Sequence, residues 1–171
     1  MGNATTLVLF GCIAGFAGLG TLIDIGHMQH TKGIALEEAK MLAGGKGIIN
    51  IGAGPHRTFG AQEIAVAPEV LANIDITPNG MPHFIQLDLE RDRLPFPDKQ
   101  FGCAFASHVL EHLDNWEFCL SEASRVADYV VVVLPHPCSI SGWLAPEHKQ
   151  HFSVDDIDEI TNLYPNVTVY Y

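Results

Sequence analysis

Basic residues are scarce in this 171-residue chain: nine Lys and Arg stand against twenty Asp and Glu, giving a formal net charge of -11. Phosphate neutralisation needs clustered cations, and none occurs, so no nucleic-acid partner is expected. The four cysteines (Cys12, Cys103, Cys119, Cys138) form no C-x-x-C pair and have neither disulfide nor zinc spacing, so reduced thiols in a cytosolic compartment are expected. No internal repeat or low-complexity linker breaks the chain, and its length holds one domain with at most an appendage. No charge occurs from Thr5 to Ile23, and no basic residue precedes that run, which argues against a cleaved signal peptide.

What that uncharged run has instead is length and small residues. It is close to the ~20 apolar residues that span a bilayer. Gly11 and Gly15 form a G-x-x-x-G pair, with Ala14 and Gly18 a second small pair beside it, so helices can pack closely there. Lysines appear only afterwards, at Lys32, Lys40 and Lys46, which by the positive-inside rule puts the bulk of the chain in the cytoplasm. The expected organisation is a single-pass membrane helix within residues 1–30 and a cytoplasmic domain over 31–171. The alternative is a glycine-rich helix buried against a partner subunit or a second copy.

The domain is organised around Gly47-Ile-Ile-Asn-Ile-Gly-Ala-Gly-Pro-His56. The apolar run Ile48, Ile49, Ile51 reads as a buried parallel strand, broken by Gly52 and Gly54, where a ligand can approach bare backbone. Some 20 residues on, Asn73-Ile-Asp75-Ile76 places a carboxylate at the tip of the next strand, the order of parts for an open α/β sheet that grips a nucleoside-like cofactor. A dinucleotide fingerprint would need glycine where Arg57 stands, and Pro55 and His56 crowd the turn that should cradle a pyrophosphate. A cofactor with a ribose but no phosphates fits better, and S-adenosylmethionine is the obvious one.

The remaining pattern alternates helices with strands. A helix is expected over 34–42 and strands over 70–76, 83–88, 101–107, 129–134 and 166–171. A second helix starts at Asp114, with Glu117 completing a capping box, and carries the stripe Trp116, Cys119, Leu120, Ala123 and Val126. Ser153 caps a last helix. Region 55–69 should hold a short crossover helix, limited by Gly60 and Pro68. The expected fold is Rossmann-like: a doubly wound, mostly parallel sheet.

From Asp88 to His112 two blocks stand out: Asp88-Leu-Glu-Arg-Asp-Arg-Leu-Pro-Phe-Pro-Asp-Lys-Gln-Phe101, then Ser107-His-Val-Leu-Glu-His-Leu113. With Asn50 to Gly54, Asp75, Glu122-Ala-Ser-Arg-Val126 and the 135–153 segment, they resemble the class I S-adenosylmethionine-dependent methyltransferases of type 11 over about residues 45–160. The resemblance implies that Asn50, Gly52, Ala53 and Gly54 lie against the methionine part of the cofactor. It further implies that Asp75 with Ile76 binds the ribose, that Asp88 with Leu89 reads the adenine, and that Ser107 and His108 face the methyl group and its acceptor. The pattern departs from the family at Asn50, where an acidic residue is usual, at Gly102, where Asp is usual, and at Ala127-Asp128, where a Lys-Pro-Gly-Gly turn is usual. Only one strand of the family's terminal antiparallel hairpin is evident.

Methyl transfer needs positioning, plus a base if the acceptor must lose a proton. His108 is the catalytic candidate. His112 is expected to serve packing and capping, and His148 and His151 to lie over the acceptor. His108-Val-Leu-Glu-His112 also spells H-x-x-E-H, a zinc-peptidase signature. That motif needs an established helix, whereas here it directly follows a strand, so no metal ligand is assigned. The expected activity is methyl transfer to a small or lipid-like acceptor at a membrane. The alternative is a catalytically degenerate subunit that serves assembly.

Overall fold

The computed structural model describes residues 26–54, 64–78 and 80–171. Six strands form one sheet in the order β3-β2-β1-β4-β5-β6, every pairing parallel: β1 (Ile48–Ile51), β2 (Val70–Asp75), β3 (Phe84–Gln86), β4 (Phe101–Ser107), β5 (Ala127–Val133) and β6 (Val167–Tyr170). The helices are α1 (residues 26–43), α2 (Trp116–Val126), α3 (Ile140–Leu144) and α4 (Val154–Leu163). The doubly wound parallel fold matches the expectation. β6 pairs directly with β5, from Val130 opposite Val167 to Val133 opposite Tyr170, and no antiparallel pairing occurs among the described residues.

Side chains alternate across a strand, so each strand feeds two cores. Ile49, Ile51, Ala104, Val130 and Val132 face α2 and α4, whose Leu120, Val126, Ile157 and Ile160 cover them. Ile48, Cys103, Phe105, Val131 and Val133 face α1, which presents Ala35, Ala39 and Ala43 at four-residue spacing. These alanines let α1 lie close on the sheet. Its last turn comes so near that a Cβ added to Gly102 would sit 1.9 Å from the Ala43 carbonyl oxygen. The departure at Gly102 thus has a physical reason: this helix occupies the space a side chain would need. Burial pushes the Cys103 and Cys119 thiols up to about 12, so both behave as inert core residues.

Two other family blocks act together. Arg125 donates to Glu122 through Nε and Nη2 (2.8 and 2.7 Å), to Asp98 (2.8 Å) and to the Leu94 and Phe96 carbonyls. Glu122 in turn accepts from the Leu94 amide at 2.9 Å. The Leu94-Pro-Phe-Pro-Asp98 loop is therefore pinned to α2, and Arg125 holds the Glu122 carboxyl below the usual glutamate range.

Three expectations are corrected. Asp114 does not cap α2; its carboxylate pairs with Lys149 at 2.6 Å, and Glu90 reaches across to accept from the Asp114 and Asn115 amides. A lysine within reach competes for the carboxylate, and another carboxylate serves the helix end. Strand β3 is shorter than 83–88, because His83 takes a positive φ of 51° and pairing ends at Gln86. The single-pass membrane localisation is also overturned: no helix among the described residues is long and apolar enough to cross a membrane. Residues 5–23, which carried that expectation together with the G-x-x-x-G pair, lie outside the described residues, as does most of the 55–69 crossover. The boundary expected at 30/31 falls within α1, which runs unbroken from 26 to 43. Ser153 does cap α4, in a reciprocal box with Asp156.

Candidate active site

In an open parallel sheet a ligand crevice forms where neighbouring strands send their connections in opposite directions. Here that point lies between β1 and β4. A cavity of about 520 Å³ opens there, within the range of small-molecule sites. Asn50, Gly52, Ala53, Gly54, Asp75, Ile76, Asp88, Leu89, Ser107 and His108 all line it. The structure thus brings these ten residues to one surface, whereas His148 and His151 do not line it.

The glycine turn is held by Val109 and Asp75. Gly52 and Gly54 have φ of 66° and 69°, and Val109 packs so closely on Gly52 that a Cβ there would lie 2.3 Å from Val109 Cγ2. Asp75, at the end of β2, accepts from the Gly54 amide through Oδ2 and from the Thr77 amide through Oδ1, both at 2.8 Å. A carboxylate has about four acceptor positions, so Asp75 keeps capacity for a ligand while fixing the loop. Asp88 accepts from the Glu90 amide at 3.0 Å.

Asn50 is 4% exposed and donates through Nδ2 to Asn73 Oδ1 at 2.8 Å. Asn73 then donates to the Ala65 and Pro82 carbonyls. A carboxylate at position 50 would meet an acceptor oxygen in a buried place, so the neutral residue suits this chain's cross-brace between β1 and β2.

The tip of β4 carries Ser107 and His108. Ser107 Oγ and His108 Nε2 are buried and have no hydrogen-bond partner among the described residues. His108 adopts φ 54°, a strained conformation for a non-glycine residue, held by its amide donating to the Val133 carbonyl at 2.9 Å. Its Nδ1 lies 3.0 Å from Glu111 Oε1, and Glu111 is 1% exposed. Residues Leu110–His112 form one 3-10 turn, so His108 and His112 are not paired on a helix as the zinc-peptidase motif requires.

A second cavity, of about 480 Å³, lies against the first and is walled by His27, Met28, Val133, His136, His148 and Tyr171 among others. His108 lines both. His151 lines neither; its ring stacks on Trp143 with centroids 4.9 Å apart. Sequence reasoning missed Lys32, Glu90 and Glu147 on the first wall and α1's His27 and Met28 on the second. The one available signal was the i, i+4, i+5 spacing of His27, Thr31 and Lys32 on one helix face. Burial lowers Lys32 below the usual lysine range, against the pull of Glu111. Burial likewise lowers His148, which favours its neutral form.

The parallel sheet, the glycine turn and the carboxylates ending β2 and following β3 together define a Rossmann-like methyltransferase fold. Residues 50–128 match a protein family described as a methyltransferase domain. That match supports the resemblance to the class I, type 11-like methyltransferases over this stretch. No curated protein and no solved structure gives a significant match.

Proposed function

We propose that the chain uses S-adenosylmethionine to methylate a small organic acceptor, with the cofactor in the first cavity and the acceptor in the second. The observation that supports this most is His108, which lines both cavities and carries a buried, unpartnered Nε2. The first cavity suits such a cofactor: Asp75 retains acceptor capacity for ribose hydroxyls, Asp88 and the Leu89 backbone suit the adenine edge, and Ser107 Oγ is free to bond. When bound, S-adenosylmethionine supplies a methyl carbon already activated by its positive sulfur.

The chain's own residues then do the positioning and proton handling. With Nδ1 donating to Glu111, His108 is held in the tautomer whose Nε2 accepts a proton. An acceptor O–H or N–H in the second cavity gives that proton to Nε2 as its heteroatom takes the methyl group. Glu111 stabilises the resulting imidazolium through the same hydrogen bond. The lipid-like acceptor drew on the membrane helix alone and has no support in the walls of the second cavity.

Calorimetric titration of S-adenosylmethionine and S-adenosylhomocysteine into the full chain tests the reading. Micromolar binding is expected, weakened in Asp75→Ala by the ~1.5–3 kcal/mol of a hydrogen bond to a charged group, or about 10- to 150-fold. A folded chain that binds neither compound overturns the reading and leaves an assembly subunit on a methyltransferase fold.

A further inference from the structure

Beside the base, one potential ligand atom from each of Glu111, His112 and His148 lies within 4.8 Å of the others. The segments bearing them are joined by backbone bonds. Lys149 and Gln150 amides both donate to the Glu111 carbonyl (2.7 and 3.0 Å), and Gln150 Nε2 donates to the Leu113 carbonyl at 3.3 Å. His112 Nδ1 is 3.1 Å from the Glu147 carbonyl, the arrangement in which a backbone oxygen fixes the tautomer and leaves Nε2 free to ligate. The imidazoles of His112 and His148 meet edge to face, with centroids 4.8 Å apart. Glu111 Oε1 is held by His108, and its Oε2 is buried with no partner among the described residues. A buried carboxylate oxygen without a partner is costly and calls for a cation or a donor.

We propose that Glu111, His112 and His148 bind a divalent transition metal of the zinc class. Two imidazoles and one carboxylate are a ligand set that zinc accepts with a position left open for water or substrate. Bonds of about 2.0–2.1 Å to a tetrahedral ion set ligand atoms roughly 3.4 Å apart, so closure needs side-chain movements of little more than about 1 Å. His112 lines the first cavity and His148 the second, which places the ion between them. On the methyl-transfer reading above, its open position receives the acceptor through oxygen and lowers the pKa of a bound hydroxyl, so the substrate class is an oxygen acceptor. His108 then bonds to a ligating carboxylate and does not itself ligate.

The test is titration of Co²⁺, followed by its visible absorption, into chelator-treated full chain without an affinity tag, then displacement by Zn²⁺. One ion per chain is expected, with the absorption of a low-symmetry nitrogen and oxygen site. Removing a residue that merely orients a ligand costs 10- to 100-fold in affinity, so losing a ligand in His148→Ala or His112→Ala should weaken binding by at least about 100-fold. His30→Ala, an exposed histidine outside the group, should bind as the unaltered chain does. Circular dichroism verifies that each variant is folded. Absence of saturable binding by the folded chain overturns the proposal, as does a folded His148→Ala chain with unchanged affinity. Metal binding without S-adenosylhomocysteine binding keeps the metal site and sinks the methyl-transfer reading, whereas the converse sinks the metal site alone.

Discussion

Three glycine-to-alanine substitutions separate two physical costs that the structure combines at the glycine turn after β1. Gly44 has φ 52° with nothing within 4 Å of an added Cβ, so Gly44→Ala carries only the left-handed backbone penalty, about 1–2 kcal/mol. Gly102 has no positive φ, but its added Cβ meets the Ala43 carbonyl oxygen at 1.9 Å and carbon at 2.5 Å. These are backbone atoms that no rotamer change can move aside, so Gly102→Ala should reach the upper end of the ~1–3 kcal/mol overpacking range or exceed it. Gly52 carries both terms: φ 66°, and contacts of 2.3 and 2.8 Å to the two methyls of Val109, a buried β-branched side chain with little rotamer freedom. Their sum is about 2–5 kcal/mol. For a chain of this size each kcal/mol lowers Tm by about 2–4 °C, so Gly52→Ala should melt about 4–20 °C lower and Gly44→Ala about 2–8 °C lower. Urea unfolding gives the free energies directly, with calorimetry as a second measure. Val109 also lines the first cavity, so Gly52→Ala should weaken S-adenosylhomocysteine binding while Gly44→Ala leaves it unchanged. If Gly52→Ala is no more destabilising than Gly44→Ala, Val109 yields freely and the account of the turn is wrong.

Asn50→Asp restores the family's usual residue but sets a carboxylate against Asn73 Oδ1, so it should destabilise by about 1–3 kcal/mol at pH 7. Burial raises such a group's folded pKa, so the loss should shrink as pH falls through that value; a constant loss between pH 7 and pH 4 would argue against this cause. Glu122 behaves oppositely, because Arg125 lowers its folded pKa. Its contribution is complete above the unfolded value of about 4.3 and is lost as pH falls through the folded one. Glu122→Gln should therefore cost about 1–3 kcal/mol at pH 7 by urea unfolding, the gap to the unaltered chain closing in acid. His108→Asn keeps a residue that tolerates the left-handed conformation but removes the base. With an acceptor that supports turnover, kcat should fall about 10²- to 10⁴-fold while S-adenosylhomocysteine affinity stays within about threefold; undiminished turnover would remove His108 from the chemistry.

Strands β1, β2 and β5 were legible because each is an apolar run closed by glycine, a carboxylate or proline, and the runs of β1 and β5, buried on both faces, pointed to a mostly parallel sheet. Asp75, Asp88 and Ser107 were legible because strand-tip chemistry is local in sequence. What stayed hidden depends on which distant segment returns to a site. Lys149 takes Asp114 away from its helix, and Glu90 fills the vacancy from 24 residues upstream. Asn50 reads as a lost charge until its register beside Asn73 shows a second amide waiting for it. Glu111 lies in the His108-Val-Leu-Glu-His112 motif, which gives no sign that His148 comes back beside it.

Helix α1 has a mechanical consequence. Its described residues, 26–43, run unbroken over about 27 Å. Its last turn is wedged against Gly102 at the bottom of β4, while His27 and Met28, near the other end of its described residues, wall the second cavity. Between those points Ala35 and Ala39 are fully buried against the sheet, so the helix is seated along its length. Over that length a change of a few degrees in its seating would move His27 by more than about an ångström and so change the width of the second cavity. The width of the second cavity is thus tied to how α1 is seated at the far end of β4.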